Sequence, residues 1–453
     1  MIYSKAILLI QGEMRRKMSK DIKLFWKYIG PSIIGMLIAG SYSIVDTVFI
    51  GLGIGKQGLA SIALTWPLVM LVGAVGSLLG AGAAVLISQA RGAGDEARAQ
   101  KCFGNMITLQ LICSVILGGG MLLLLEPLLY LSGATPELLP DAVTYARIIL
   151  FGSFIFMFMT GCLEVVRNDG RPVLSMWLLV IGLVGNIILD YLFIMVFRRG
   201  AAGAAEATVI SQILSGVCGL AYFLSPWTKL RINRANLSLN RVAVLDISIT
   251  GFPIFGNMLS IIAMLFMHNW QALRYGAVDG LAAYTMVAAL ESLGSILMTG
   301  LAGGMQPLVA NMYGAGKYKR QNRFGNYGYW TAFLMGIGLM LFSFSLRHAM
   351  PRWMGLSGHV ADLAAHGVLL SSTAFILLGV IRVAAYYYQS TGKILDSSLL
   401  IYGDAFAALP LCLFTLPLFF DMDGVWLAMP ASRVLLLLVL LWLWFGKRRS
   451  CRS

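Results

Sequence analysis

Long apolar stretches, separated by short polar loops, recur along the whole chain. Each stretch holds about 20 or more mostly apolar residues, which lets an α-helix cross ~30 Å of hydrocarbon. Such a helix pairs its own backbone N–H and C=O groups, as a bilayer requires. The pattern therefore predicts an all-α integral membrane protein with twelve spans, at residues 28–52, 59–90, 102–125, 140–168, 172–197, 201–225, 244–270, 280–312, 324–346, 361–391, 396–420 and 424–446.

Lysine and arginine residues concentrate in alternate loops, which predicts how the chain is threaded through the membrane. One side carries both ends of the chain and the basic loops at 91–101, 229–241 and 317–323, whereas the other side has few basic residues. Because basic loops stay in the cytoplasm, we expect both termini to be cytoplasmic in the bacterial inner membrane. Met1 and Met18 are both candidate translation starts.

An internal repeat divides the chain into two copies of a six-span unit. Gly58-Leu59-Ala60 recurs as Gly280-Leu281-Ala282, and Gly92-Ala93-Gly94 recurs as Gly314-Ala315-Gly316, with the same offset along the chain in both cases. A unit with an even number of spans keeps its direction through the membrane, so the two lobes are related by a pseudo-two-fold axis along the membrane normal. We expect a tail at 1–27, a first lobe at 28–228, a cytoplasmic linker at 229–243, a second lobe at 244–446 and a basic tail at 447–453.

Composition narrows the class of protein further. Hydrophobic residues make up 58% of the chain and charged residues only 12%, whereas soluble domains carry about 25% charged residues. The formal net charge of +14 lies in short loops, so we do not expect nucleic-acid binding. The sequence contains no phosphate-binding loop, zinc-protease motif or Ser-His-Asp set, and its six cysteines form no C-x-x-C pattern. Neither an ATP-driven pump nor an enzyme is therefore predicted.

Polar side chains inside the spans of the first lobe form the main candidate site. Asp46 and Asp190 are carboxylates deep in spans one and five, and Asn186 shares a helix face with Asp190. Together with Thr208 and Tyr145 they fall ~7–10 Å below the predicted outer surface, at a rise of 1.5 Å per residue. Oxygen-bearing side chains at one depth suit a proton or Na⁺, the latter held by Asp46, Asn186, Asp190 and Thr208. The alternative is that each is a separate packing residue.

The carboxylate pair is confined to the first lobe. The repeat places His268 at the position of Asp46, and Cys412 at the position of Asp190. Because the pair was not duplicated with the rest of the unit, it favours a specific function over general helix packing.

Four charged residues lie within the predicted spans of the second lobe: Glu291, Arg382, Asp404 and Arg433. Their signs balance, and their depths match Arg382 with Asp404 and Glu291 with Arg433. Two interpretations stay open, namely two structural ion pairs or the polar wall of a substrate cleft. Two buried arginines argue against a pocket for cations alone.

Six motifs, spread over nearly the whole chain, carry a family resemblance: Val45-Asp46-Thr47-Val48-Phe49-Ile50-Gly51, Gly92-Ala93-Gly94, Asn186-x-x-x-Asp190, Gly203-Ala204-Ala205-x-Ala207-Thr208, Tyr387-Tyr388-Gln389-Ser390-x-Gly392-Lys393 and Gly424-Val425-Trp426-Leu427-Ala428. In this order they resemble the multidrug and toxic compound extrusion (MATE) family. They are most similar to the bacterial and archaeal branch typified by DNA-damage-inducible protein F.

The resemblance implies twelve helices in two lobes and export of drugs or other organic compounds, often cationic and amphiphilic, in antiport with protons or Na⁺. It implies no further cofactor. The family's first-lobe cation site maps onto Asp46, Asn186, Asp190, Thr208 and Tyr145, the residues that the depth argument also selects.

Two other functions remain open. A lipid-linked oligosaccharide flippase of the same wider superfamily would need a cationic cleft for pyrophosphate. A membrane-embedded enzyme would need a nucleophile with a base, or a metal cluster, at one depth. The sequence favours a secondary active transporter of small molecules that works in the bilayer as a monomer.

Overall fold

The computed structural model describes the backbone of residues 2–450 and the side chains of residues 18–42 and 44–443. Within this range the structure is helical, with two π-helical segments at Tyr191–Val196 and Asp404–Ala408. The helices of the first half are α1 (Ile2–Gly53), α2 (Gly55–Ala63), α3 (Trp66–Gly92), α4 (Glu96–Leu123), α5 (Leu125–Leu131), α6 (Leu139–Phe151), α7 (Ser153–Asn168), α8 (Pro172–Asp190), α9 (Gly200–Leu224) and α10 (Arg234–Leu237). Those of the second half are α11 (Arg241–Gly314), α12 (Tyr318–Leu346), α13 (Ala349–Trp353), α14 (Gly358–Ser371), α15 (Ala374–Ser390), α16 (Ile394–Gly403), α17 (Leu409–Thr415) and α18 (Pro417–Ser450).

Helix length and apolarity agree with the predicted membrane architecture. In the described part of the chain, nine helices are long and apolar enough to span a membrane, and two bent pairs each add one more. A break at Ala277, where φ is 49°, divides the 74-residue helix α11 into two spans. Counting its halves separately gives the twelve crossings predicted. Large apolar side chains such as Leu123 and Phe419 are 87% and 78% exposed, as expected of surfaces that face lipid.

Two of the spans are bent, and the bends occupy equivalent places in the repeat. The α6–α7 pair bends by 55° and the α14–α15 pair by 46°. Gly152, at the first bend, is the repeat equivalent of Ala374, which opens α15. A Cβ on Gly152 would lie 2.9 Å from Val209 Cγ2, so glycine at this position lets α9 pack closely against the first bend.

Each copy of the repeat contains an apolar core of its own. In the first copy, the rings of Phe103 and Phe223 lie 4.5 Å apart between centroids, within a cluster that includes Leu178. In the second copy, Phe375 and Trp426 are buried in a separate cluster. Each lobe therefore has its own apolar core in addition to the contacts between the lobes.

The lobes approach each other very closely where α3 meets the end of α11. A Cβ added to Gly92 would lie 2.0 Å from the carbonyl oxygen of Asn311, and one added to Gly314 would lie 1.9 Å from that of Gln89. Real Cβ atoms essentially never approach within 3.0 Å, so only glycine fits at either position. Gln89 also donates a hydrogen bond of 2.9 Å to the carbonyl oxygen of Ser390. This contact lies on the predicted cytoplasmic side.

Ion pairs reinforce the same side of the interface between lobes. Asp21 in α1 is buried and accepts contacts of 2.8 Å from Arg320 and 2.7 Å from Arg323, both in α12. Arg98 in α4 lies 3.4 Å from Asp246 in α11. Arg98 and Arg320 occupy equivalent positions in the two copies, although their aspartate partners differ by three residues in the repeat.

Some expected boundaries differ from the structure. Residues 18–27, predicted as part of the tail, belong to α1, because Phe25 is 2% exposed and packs against the second lobe. The predicted linker at 229–243 contains α10 and the first turn of α11. Residues 1–17, which separate the candidate translation starts at Met1 and Met18, lie outside the described side chains. The predicted basic tail at 447–453 lies outside them as well.

Candidate functional site

The five predicted first-lobe residues lie together inside the lobe. Asp46 comes from α1, Tyr145 from α6, Asn186 and Asp190 from α8, and Thr208 from α9. Asp46 and Asp190 interact electrostatically, Asn186 lies against Asp190, and Tyr145 lies beside Thr208 and both carboxylates. All five side chains are buried, Asp46 at 8% exposure and Asp190 at 0%. Four helices therefore converge on one polar point.

Buried polar atoms without hydrogen-bond partners are concentrated in this cluster, which makes it a candidate binding site. Asp46 Oδ1, both oxygens of Asp190, both polar atoms of the Asn186 amide and Thr208 Oγ1 are buried and have no hydrogen-bond partner among the described residues. A buried polar group without a partner costs roughly 1–3 kcal/mol, so several in one place need a ligand that satisfies them. The donor set is mostly oxygen and carries two carboxylates, which fits protons or a small hard cation.

Tyr42 is a member of this cluster that the sequence analysis missed. Its hydroxyl lies 3.3 Å from Ser211 Oγ, and Ser211 in turn donates to the Thr208 carbonyl oxygen at 2.8 Å. Tyr42 precedes Asp46 by four residues, so the two share one face of α1. That spacing was the signal that could have identified it.

Local backbone structure shapes the site next to Asp190. The α-helix α8 ends at Asp190 and continues as the π-helical segment Tyr191–Val196. Such segments are rare and occur often at functional sites. Opposite this segment, a Cβ on Gly203 would lie 3.0 Å from the carbonyl oxygen of Phe193, so the small residues at the start of α9 permit this close approach.

The equivalent position in the second lobe is an aromatic stack. His268, which replaces Asp46 in the repeat, is 2% exposed, and its Nδ1 lies 2.9 Å from the Met264 carbonyl oxygen. Its ring stacks on Tyr284 with 5.2 Å between centroids, and Tyr284 stacks on Trp426. A stack of aromatic rings therefore stands in the second lobe where the first lobe has the Asp46 carboxylate.

The four charged residues predicted in the second lobe surround one cavity of about 280 Å³. Its lining comes from α11, α15, α16 and α18, together with Asp404 of the second π-helical segment, and so belongs to the second lobe alone. Glu291, Arg382, Asp404 and Arg433 all line it, and most of the remaining wall is aliphatic or aromatic.

The charges of this cavity pair differently from the expectation based on depth. Arg433 forms an ion pair with Asp404, whereas Arg382 donates to Asn257 Oδ1 and, at 3.4 Å, to Ser295 Oγ. In the described chain, Arg382 has no carboxylate oxygen within 4 Å, and Glu291 has no basic nitrogen within 4 Å. Depth along a span cannot show which helices face each other, which is why the expected Arg382–Asp404 and Glu291–Arg433 pairs were wrong.

The chain matches known proteins over most of its length. The family profile of MatE matches residues 31–192 and 253–413, one match in each copy of the repeat. The chain belongs to the MatE family. It is similar to multidrug export protein MepA of Staphylococcus saprophyticus, with 25% identity over 415 residues that cover 91% of each chain.

Solved structures of MATE transporters share the fold. One described as MATE in the bent conformation superposes with a TM-score of 0.88 at 23% identity, covering 95% of this chain and 96% of the other. An outward-facing conformation of a multidrug resistance MATE family transporter gives the same TM-score, identity and coverage. The twelve-helix, two-lobe architecture predicted from the sequence is thus confirmed, and the protein is a multi-pass membrane transporter of a multidrug efflux family.

This MatE protein also has a charged pair within α7 that lies close to the second lobe and that the sequence analysis did not identify. Arg167 is 9% exposed and forms an ion pair with Glu164, one turn earlier in the same helix. Its guanidinium would lie 3.3 Å from a Cβ on Gly303 of the second lobe. A glutamate three residues before an arginine at the end of an apolar span was the signal for this pair.

Among the described residues, no group of three or more His, Cys, Asp or Glu side chains is arranged to hold a metal ion. The first-lobe cluster combines two carboxylates with amide and hydroxyl groups, and oxygen ligands of this kind are those that hard cations prefer.

Proposed function

We propose that this protein exports small organic compounds in antiport with protons or Na⁺, by alternating access. The observation that supports the proposal most strongly is the cluster of buried, partnerless polar atoms on Asp46, Asn186, Asp190 and Thr208. Burying two nearby carboxylates disfavours the state in which both are ionised, so a proton or Na⁺ stabilises the cluster. Each unit charge that moves down 100 mV supplies about 2.3 kcal/mol.

Alternating access requires a contact between the lobes that closes one side and can open. The close approach of α3 to α11 at Gly92 and Gly314, with the ion pairs of Asp21, fits a closed gate on the predicted cytoplasmic side. We infer that a cation enters the first lobe from the opposite side, and that neutralising Asp46 and Asp190 changes the packing of α1 against its neighbours. The lobes then rock and expose the sites to the cytoplasm.

A transport assay in reconstituted vesicles tests the proposal. Movement of ethidium across the vesicle membrane is followed under an imposed pH gradient and, separately, under an imposed Na⁺ gradient. We expect the wild type to respond to a pH gradient alone. Asp46→Asn keeps the shape of the side chain but cannot titrate, so it should abolish transport while the protein still folds.

The matched control is Asp279→Asn, the same chemical change at an exposed carboxylate just after the break between spans seven and eight. It should transport at the wild-type rate. Wild-type efflux by Asp46→Asn under a pH gradient would remove the coupling role of Asp46, and a strict requirement for Na⁺ would remove protons as the driving ion.

The flippase alternative is not favoured. It requires an excess of positive charge for pyrophosphate, whereas the charges of the second-lobe cavity cancel and the first-lobe cluster is acidic. We also propose that the protein lies in the bacterial inner membrane as a monomer, with both termini in the cytoplasm. The distribution of basic residues supports this orientation.

A further inference from the structure

The second-lobe cavity contains two partly buried charged side chains that form no direct ion pair among the described residues. Buried charges are normally paired, because an isolated one loses its hydration without gaining a partner. Arg433 and Asp404 satisfy this rule by pairing with each other. Arg382 and Glu291 line the same cavity, and neither has an opposite charge within 4 Å among the described residues.

Neutral partners hold Arg382 in place. Asn257 Oδ1 and Ser295 Oγ accept hydrogen bonds from its two terminal nitrogens. Guanidinium has five N–H donors in a planar fork, so donors remain for a ligand in the cavity. Since both partners are uncharged, the positive charge of Arg382 stays available, and a carboxylate is the group that matches the fork best.

The spacing of the two free charges follows from α11. Glu291 and Ser295 are four residues apart, so they lie on one face of this helix about one turn, or 5.4 Å, apart. Arg382 Nη2 lies 3.4 Å from Ser295 Oγ. The Glu291 side chain and the Arg382 guanidinium therefore reach the cavity at levels about one helical turn apart along α11.

We propose that this cavity binds zwitterions with an apolar body, whose ammonium and carboxylate groups lie about one helical turn apart. Arg382 receives the carboxylate and Glu291 receives the ammonium. Met264, Phe375 and Met429 provide an adaptable apolar wall for the body of the ligand. A short apolar peptide has this chemistry, because its two termini carry the charges and a dipeptide fits a volume of about 280 Å³. The inference names a substrate class and rests on the proposed transport function, but binding can be tested without transport.

Binding to purified, detergent-solubilised protein is measured by ¹⁹F NMR with three related probes. They are 4-fluorophenylalanyl-alanine, its C-terminal amide, which is only a cation, and its N-acetyl form, which is only an anion. The zwitterion should bind at least tenfold more tightly than either blocked peptide, since each lost charge removes a charge-assisted hydrogen bond. Free 4-fluorophenylalanine, whose two charges are adjacent, should also bind at least tenfold more weakly.

Two variants assign the charges. In Arg382→Gln the zwitterion should bind no better than the C-terminal amide, whose own affinity should change little. In Glu291→Gln the zwitterion should bind no better than the N-acetyl peptide. Arg382→Lys keeps the charge but loses the fork, so it should give intermediate affinity. Arg352→Gln, at an exposed position in α13, serves as the control and should match the wild type.

Thermal unfolding of each variant separates loss of fold from loss of binding. Absence of binding by all three peptides in the folded wild type would overturn the proposal. So would tightest binding of either blocked peptide, or an equal loss for all three probes in folded Arg382→Gln. Loss of transport in Asp46→Asn bears on the first lobe alone, so failure of this inference and failure of the proposed transport function give different results.

Discussion

Replacing Gly92 or Gly314 by alanine should prevent the two lobes from closing on the predicted cytoplasmic side. A Cβ on Gly92 would lie 2.0 Å from the Asn311 carbonyl oxygen, and one on Gly314 would lie 1.9 Å from the Gln89 carbonyl oxygen. Both oxygens belong to helix backbone and cannot rotate away as a side chain could. Since Cβ atoms essentially never approach within 3.0 Å, α3 and α11 would have to separate by about 1 Å at this point.

The expected shift in population follows from this geometry. Overpacking at a tight contact typically costs about 1–3 kcal/mol, and here the cost falls only on the closed arrangement. The ratio of closed to open lobes should therefore fall by a factor of about 5 to 150. Transport should slow, because a transporter that cannot close one gate cannot complete its cycle.

Spin labels on the two lobes provide the measurement. In a cysteine-free background, labels at Ala97 and Lys319 occupy exposed, equivalent positions of α4 and α12. Double electron–electron resonance should show that longer distances become more populated in Gly92→Ala and in Gly314→Ala. Gly119→Ala is the matched control, since no atom lies within 4 Å of its added Cβ. Distances unchanged from the wild type in both interface variants, or changed equally in the control, would refute the reasoning.

Three further predictions use the same materials. Asp21→Asn should also populate longer label distances, because Arg320 and Arg323 lose their shared carboxylate; an unchanged distribution would show that this pair does not hold the lobes. Arg433→Ala should lower the free energy of unfolding by about 3–5 kcal/mol, because it leaves the mostly buried Asp404 side chain unpaired, and exchanging the two residues should recover part of the loss in melting temperature. Rising symmetric Na⁺ at a fixed pH gradient should slow transport, more at high pH than at low pH, because Na⁺ and protons neutralise the same carboxylates; insensitivity at every pH would leave a proton-only site.

The sequence predicted the fold because two strong, independent signals agreed. Apolar stretches of spanning length gave the number of helices, and motifs repeated at a constant offset gave their division into two lobes. The bends at Gly152 and Ser372 and the early start of α1 were not predicted. Each depends on tertiary contacts, such as the burial of Phe25 against the second lobe, that apolarity along the chain does not reveal.

The candidate sites show what one-dimensional depth can and cannot predict. Depth grouped Asp46, Tyr145, Asn186, Asp190 and Thr208, and the structure places them together, because residues at one depth of neighbouring spans in a small lobe are forced close. The same reasoning paired the wrong charges in the second lobe. There the choice between partners depends on which faces of α15, α18 and the second π-helical segment meet, and depth carries no information about faces.

The contrast between the lobes limits how ion and substrate can be coupled. The first-lobe cluster carries two carboxylates, whereas the charges around the second-lobe cavity balance, and the residues of the two candidate sites come from different lobes. In the transport cycle proposed above, neutralising Asp46 or Asp190 therefore acts on the second-lobe cavity through packing rather than by direct contact with the ligand. Coupling through packing needs an element that has two discrete arrangements. The occupancy of each site must change the equilibrium between these two arrangements. The contact of α3 with α11 is suited to this, because glycine allows a closely packed state that side chains on either helix would otherwise forbid.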